Sequence, residues 1–178
     1  MTRNILITGA AGTGTTTLAR ALAYELRATH LEADDFLWLP SNPPYQHQVE
    51  KAQRCERLLH EMRRASRAVV AGSIRGLGCA LENAFDLMVF LYLPVDLRLE
   101  RLTLREVTRF GHVKPEFLAW AAQYDNGAAP GRSLARHQDW LSKRTCPVIR
   151  LVGDMSVTDR LHLTNDAIDI ASRKPPII

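Results

Sequence analysis

Gly9-Ala10-Ala11-Gly12-Thr13-Gly14-Thr15-Thr16 restricts the fold more than any other stretch of this 178-residue chain. A short β-run, Asn4–Thr8, runs into it, and Leu18, Ala19, Leu22 and Leu26 recur after it at helical spacing, which predicts a helix from Thr15 to about Thr29. Strand, glycine-rich turn and helix are the context a phosphate-binding loop requires. Glycine admits backbone angles that other residues avoid, so successive N–H groups can turn inward. The helix N-terminus adds positive potential. The N–H groups of Gly9, Ala11, Gly12, Thr13, Gly14 and Thr15 are therefore expected to cradle the phosphates of ATP or a close relative, with the Thr16 hydroxyl toward Mg2+. The usual pattern is G-x-x-x-x-G-K-[ST], and here Thr15 holds the lysine position. The plainer reading, a Gly/Thr-rich turn without a ligand, does not account for the flanking strand and helix.

Further along, strands are expected at Leu31–Ala33, Ala68–Ala71, Leu87–Leu93 and Val148–Val152. Leu87–Leu93 is apolar throughout, as in a strand buried on both faces of a parallel sheet. Helices are expected over Gln46–Arg67 (Val49, Ala52, Leu59 and Met62 inward), Val95–Phe110, Arg132–Arg144 and Val157–Ser172, with a helical turn near Ala80–Ala84 and a Pro-rich loop over Phe36–Tyr45. A β-α unit repeated about five times implies an α/β three-layer sandwich, a five-stranded parallel sheet with helices on both faces. Residues 1–178 read as one domain, and a less regular insertion at about 106–135 reads as an Arg-bearing lid.

Candidate chemistry lies at the strand ends. Glu32, Asp34 and Asp35 follow the second strand, where carboxylates face the ligand crevice of a parallel sheet. One can orient magnesium through water, and another can take a proton from an attacking hydroxyl. Capping a turn is the structural alternative. Arg75, in Gly72-Ser73-Ile74-Arg75-Gly76 after the third strand, is either a clamp for an anionic acceptor or a surface residue. Arg98, Arg101, Arg105 and Arg109 recur at three- and four-residue spacing, and Arg132 and Arg136 repeat the spacing of four. They are either a basic lid for phosphates and base or a solvated face paired with Glu100 and Glu106. Trp38 and Tyr45 flank the carboxylates and are candidate acceptor contacts; Trp120 and Trp140 read as packing. The six histidines show no metal-ligand spacing.

Charge sharpens this. Residues 94–150 hold ten Lys/Arg against six Asp/Glu, and the rest of the chain balances, so the net +4 sits in one segment. A small polyanionic ligand suits that segment, while no nucleic-acid-binding motif accompanies it. No apolar run approaches the ~18 residues of a membrane span, and no signal-peptide pattern opens the chain. Cys55, Cys79 and Cys146 lack metal or CxxC spacing and read as reduced thiols of a cytoplasmic protein.

Together, the loop, the Glu-x-Asp after the second strand, the Gly-Ser-x-Arg after the third and the Arg-Leu-x-x-Arg of residues 101–105 resemble the adenylate-kinase-like P-loop kinases. This family includes nucleotide, shikimate, gluconate and nucleoside kinases, and the resemblance spans the chain in element order. It implies ATP as donor, Mg2+ and a closing lid. Glu32 and Asp34 match the paired acidic positions of shikimate and gluconate kinases, with Glu32 beside Thr16 on the metal. Asp35-Phe36 resembles the Asp-Asp-Phe of uridine and nicotinamide riboside kinases. Arg75 matches the arginine that adenylate kinases place on the acceptor phosphate, and Arg101 and Arg105 match the lid pair for adenine and phosphates. Thr15 and Ala71 depart from the pattern: the second stands where adenylate kinases carry an Asp. The expected function is transfer of the γ-phosphoryl group of ATP to a small acceptor. Asp34 or Asp35 activates its hydroxyl, and Arg101, Arg105, Arg132 and Arg136 neutralise the transferring group. The alternative, suggested by Thr15, is an ATP-binding protein with weak or no catalysis.

Overall fold

The computed structural model describes residues 2–42, 46–127 and 132–173. Its elements are β1 (Asn4–Gly9), α1 (Thr15–Leu26), β2 (Thr29–Glu32), α2 (Ala33–Leu37), α3 (Lys51–Arg64), β3 (Ala68–Ala71), α4 (Cys79–Glu82), β4 (Leu87–Tyr92), α5 (Val95–Phe110), α6 (Pro115–Ala122), α7 (Leu134–Ser142), β5 (Val148–Val152) and α8 (Val157–Arg173). The strands form one sheet in the order β2-β3-β1-β4-β5. All pairings are parallel, with Ile5 opposite Val69 and Leu87, and Ile7 opposite Ala71 and Val89.

Side chains alternate across a strand, so each central strand feeds two cores. Leu6, Val70, Met88 and Phe90 pack with α2, α3, α4 and α7 residues such as Leu37, Leu58, Met62, Leu81 and Trp140. Ile5, Ile7, Val69, Ala71, Val89 and Leu91 pack on the other face with Leu18, Leu22 and Ile168 of α1 and α8. This double burial is why β3 and β4 read as continuous apolar runs. The expected α/β sandwich is the observed architecture.

Several boundaries differ from expectation for identifiable reasons. The first helix stops at Leu26, where Arg27 takes a left-handed conformation (φ 50°) and returns its N–H toward the last turn. The second strand begins earlier, at Thr29, and Ala33–Leu37 is a helical turn instead of strand end and loop. The long helix starts at Lys51, because residues 46–50 run beside 37–39: Leu39 N donates to His47 O at 2.8 Å and Val49 N to Leu37 O at 3.0 Å. Its inward face is Leu58 and Met62, with Leu59 half-buried and Ala52 exposed. On α5, Leu102 is buried but Leu104 is 70% exposed. The insertion contains α6, whose Pro115 at the first turn lacks the N–H that the turn would leave unpaired. The helix expected from Arg132 begins at Leu134, capped by Ser133, whose hydroxyl accepts from Arg136 N. Cys55 and Cys146 are free thiols, and burial pushes the Cys146 thiol up to about 11; the Cys79 side chain lies outside the described residues.

Candidate nucleotide-binding and acceptor site

The loop between β1 and α1 is held by close contacts that leave no room for a Cβ. A Cβ on Gly9 would lie 2.6 Å from Leu91 O and 2.7 Å from Thr13 Oγ1. One on Gly12, at φ +86°, would lie 2.7 Å from the backbone oxygen of Arg98 on α5. Thr13 is fully buried and braces the turn, its hydroxyl and N–H both bonding to Ala10 O, at 2.8 and 3.2 Å. The N–H groups of Ala11, Gly12 and Gly14 donate to no described group, and α1 starts at Thr15 with Gly14 left-handed (φ 91°) as its N-cap. Unspent N–H groups in a turn that opens a helix form an anion-binding nest. Gly12→Ala is expected to cost about 3 kcal/mol from overpacking and backbone strain. Gly111→Ala, which meets nothing within 4 Å, is expected to cost about 1 kcal/mol. Urea denaturation of the two variants checks the ordering.

Beside the loop, β2 ends next to β3 and sets three carboxylates at one edge. Thr16 Oγ1 donates to Glu32 Oε2 at 3.2 Å. The second Glu32 oxygen, Oε1, is buried and makes no hydrogen bond, although His30 Nε2 lies 3.2 Å away. Burial and Arg20 hold the His30 pKa below its ordinary value, so the ring is neutral and the contact is not an ion pair. Burial pushes Glu32 above the usual carboxylate value, against the Thr16 hydrogen bond. A hydroxyl at the loop's end facing an under-satisfied carboxylate is a donor set that fits magnesium, which takes few protein ligands and keeps its waters.

The next two carboxylates have opposite fates. Because α2 starts at Ala33, Asp34 and Asp35 point about 100° apart. Asp34 is half-buried and Asp35 is exposed. Burial, together with Asp35, raises the Asp34 carboxyl above its ordinary value, while Arg132 and Arg105 oppose the rise. Arg132 also lines a cleft with Ala10 and Ala11 of the loop and with Trp120 and Tyr124 from the α6 region. Arg132 thus borders the loop's cleft and its charge also acts on Asp34. The loop carrying Arg75 is anchored by Glu82, which accepts from Gly76 N at 2.6 Å, from Trp140 Nε1 at 2.6 Å, and pairs with Arg144 at 3.2 Å.

The fields of Arg132 and Arg75 meet at His137 on α7, with Arg150 adding to them. His137 is buried between Phe90 and Trp140. Its Nε2 lies 3.2 Å from Thr8 Oγ1 at the end of β1, and its Nδ1 lies 2.9 Å from Tyr124 OH. Burial, with the arginines, lowers its pKa from 6.5 to about 4. The ring stays neutral in the fold but takes up a proton in the unfolded chain below pH 6.5. Stability from this group is therefore complete above pH 6.5 and is lost as pH falls toward 4. Melting temperatures are expected to drop over that window, by the equivalent of roughly 3 kcal/mol at the acid end, and His137→Gln is expected to flatten the drop.

The other arginines separate. Arg98, read in sequence as part of the basic lid face, is fully buried and unavailable to a ligand. It donates to Leu93 O at 3.1 Å and Ala121 O at 3.2 Å, pairs with Asp125 at 3.2 Å and lies over the Tyr124 ring, fastening α5 to α6. Arg101 pairs with Asp154 after β5. Arg105 pairs with Glu106 at 2.8 Å and lies 6.0 Å from the Phe117 ring centroid. Arg132 precedes α7, so Arg132 and Arg136 do not share a helical face, and Arg136 is exposed. Trp38 is half-buried beside the Leu37 core and bridges Gln48. Tyr45 and residues 128–131, which fall in the segment expected to be a lid, lie outside the described residues. Sequence reasoning missed Arg160: its hydrogen bond to Thr13 O, 2.7 Å, spans 147 residues. The available signal was the four-residue spacing that sets Arg160 on one helix stripe with Thr164 and Ile168.

Comparison with known proteins bears on this arrangement. A family model described as an AAA domain matches residues 5–114. The uncharacterized protein YqaC of Bacillus subtilis (strain 168) is 37% identical over 176 residues, covering 93% of this chain and 97% of that protein. Among solved structures, the shikimate kinase of Acinetobacter baumannii in complex with shikimate superposes with a TM-score of 0.65 at 19% identity, over 98% of this chain and 97% of that one. The deoxyadenosine kinase of M. mycoides with bound dATP gives 0.62 at 11% identity, over 93% and 99%. At such identities the structural matches establish the fold, which is that of P-loop kinases. Among the described residues no helix is long and apolar enough to cross a membrane. The family match over most of the chain and the Bacillus relative thus place this protein in the AAA domain family, with its phosphate loop set in a P-loop kinase-like fold.

Proposed function

We propose that this protein is an ATP-dependent small-molecule kinase, with the ATP phosphates on the Gly9–Thr16 nest. The observation that carries the reading is the join of the β2 end to a loop with unspent N–H groups: Thr16 donates to Glu32 at 3.2 Å, and Asp34, two residues on, is a half-buried carboxyl in the field of Arg132 and Arg105. A carboxylate so placed can take the proton of an acceptor hydroxyl, and phosphoryl transfer needs little beyond positioning and charge neutralisation. Thr16 and Glu32 would hold magnesium, which supplies charge neutralisation to the phosphates when bound. Arg132, which lines the cleft with Ala10 and Ala11 and whose charge acts on Asp34, is the cation assigned to meet the transferring group in the absence of a lysine at position 15. Trp38 and Arg75 are assigned to the acceptor in this reading. Arg75 and Arg132, whose charges both reach His137, suit an acceptor that carries a carboxylate or phosphate beside its hydroxyl. The shikimate bound by the Acinetobacter kinase is an acid of this kind.

The test is ADP formation under saturating ATP and magnesium with a panel of nucleosides, nucleotides and anionic hydroxyl metabolites. Acceptor-dependent ADP with at least one anionic acceptor is expected; ADP at background across the panel would overturn the kinase reading. Thr15 favours a second reading, an ATP-binding protein without turnover. Calorimetric ATP binding together with a silent panel would select it.

A further inference from the structure

The charge missing at Thr15 has a counterpart on the far side of the loop. Arg160 lies on the buried stripe of α8 and is 4% exposed. Its Nη1 donates to Thr13 O at 2.7 Å and its Nη2 to Gly153 O at 3.2 Å, while its Nε is buried without a partner. Asp154, the carboxylate whose field acts on it, is bonded to Arg101 instead. The two guanidiniums converge on one residue: a Cβ on Gly14 would lie 3.2 Å from Arg160 Nη1 and 4.0 Å from Arg101 Nη1.

A buried guanidinium that meets only carbonyls is costly, and a nearby anion would offset the cost. The carbonyl that Arg160 engages belongs to the Thr13–Gly14 peptide, whose other end is the Gly14 N–H. The peptide is a planar, conjugated unit. A cation bonded to its oxygen polarises it and strengthens its N–H as a donor, as in any hydrogen-bonded chain. The Gly14 N–H is one of those that donate to no described group.

We infer that Arg160 is a positioning residue for phosphate binding: from behind the loop it holds and polarises the Thr13–Gly14 peptide, supplying through the backbone part of the positive potential that a side chain at position 15 does not. The inference rests on the reading that the loop binds nucleotide phosphates. It gives the loop two sources of charge, Arg132 in the adjoining cleft and Arg160 through the backbone.

Competition against a fluorescent ATP analogue tests it, using ATP and inorganic tripolyphosphate as competitors. The proteins are the unaltered chain, Arg160→Met, Arg160→Lys, and each variant combined with Thr15→Lys. Arg160→Met is expected to weaken both competitors about tenfold or more. Arg160→Lys, which keeps the charge, is expected to restore part of the loss and serves if the methionine variant does not fold. The loss is expected to shrink in the Thr15→Lys background. A merely structural Arg160 would lower the melting temperature and leave tripolyphosphate affinity, and its coupling to position 15, unchanged; that result overturns the inference while ATP binding by the unaltered protein upholds the loop. Failure of the unaltered protein to bind either the analogue or ATP would overturn the reading of the loop itself, and this inference with it.

Discussion

Thr15→Lys is expected to raise phosphoryl transfer about a hundredfold, the scale of one preorganised charge-stabilising group at a reacting centre. Position 15 opens α1 and follows a glycine whose left-handed turn completes the nest. A flexible ammonium there would reach the β- and γ-phosphates, a contact that N–H groups cannot provide at the same range. The gain is expected in turnover more than in ATP affinity, because charge on the γ-phosphoryl group is redistributed in the transition state. ATP hydrolysis measured in the absence of acceptor is the readout that does not depend on knowing the acceptor. The variant is expected to raise this hydrolysis and any acceptor-dependent transfer together. If neither rises while the nucleotide still binds, Arg132 already fills the lysine's electrostatic place or the site is not built for transfer.

Asp34→Asn is expected to lower acceptor-dependent transfer by about 10² to 10⁴, the range for a positioned general base, with ATP affinity little changed. The asparagine keeps the shape of the side chain and removes its basicity. The pH dependence is a second readout. Burial and Asp35 raise the Asp34 pKa from 3.8, against Arg132 and Arg105. The active, deprotonated form is therefore lost at a higher pH than for a solvated aspartate. Transfer is expected to rise with pH along an acid limb set above the ordinary carboxylate value, and that limb is expected to vanish in the asparagine variant. Asp35→Asn, at the exposed neighbour, is expected to shift the limb slightly downward, because it removes one charge that raises the Asp34 pKa, and to leave the rate near its starting value. A larger loss from Asp35→Asn than from Asp34→Asn would reverse the assignment of the base.

These two residues show how far local sequence reaches. Asp34 and Asp35 are adjacent, alike in chemistry and equally plausible as a base when read along the chain. Their difference arises because Ala33 is fully buried and begins a helical turn, with Gly72 of the neighbouring strand end closing over it: a Cβ there would sit 3.2 Å from Ala33 Cβ. That contact lies 39 residues away in sequence and leaves no periodic trace. The arginines carry the same lesson. Arg98 and Arg101 share a helix and a residue type. Arg98 is drawn inward by Leu93 O, Ala121 O and Asp125, while Arg101 stays half-exposed on Asp154. Helical spacing says which residues share a face; only the partner surface says whether that face is wet.

By itself, the sequence determined the β1-loop-α1 unit, the apolar β4 run and the extent of α5, because each depends on neighbours within a few residues and on burial that any packing of a parallel sheet imposes. The tertiary structure decided which cations and carboxylates meet. Asp34 comes under Arg132, His137 bridges Thr8 and Tyr124, and Arg160 reaches Thr13 across 147 residues because the sheet order β2-β3-β1-β4-β5 brings the strand ends beside one loop. Local propensity acts over a turn or two of chain, whereas electrostatic pairing depends on distance in space, and the order of strands in the sheet sets that distance.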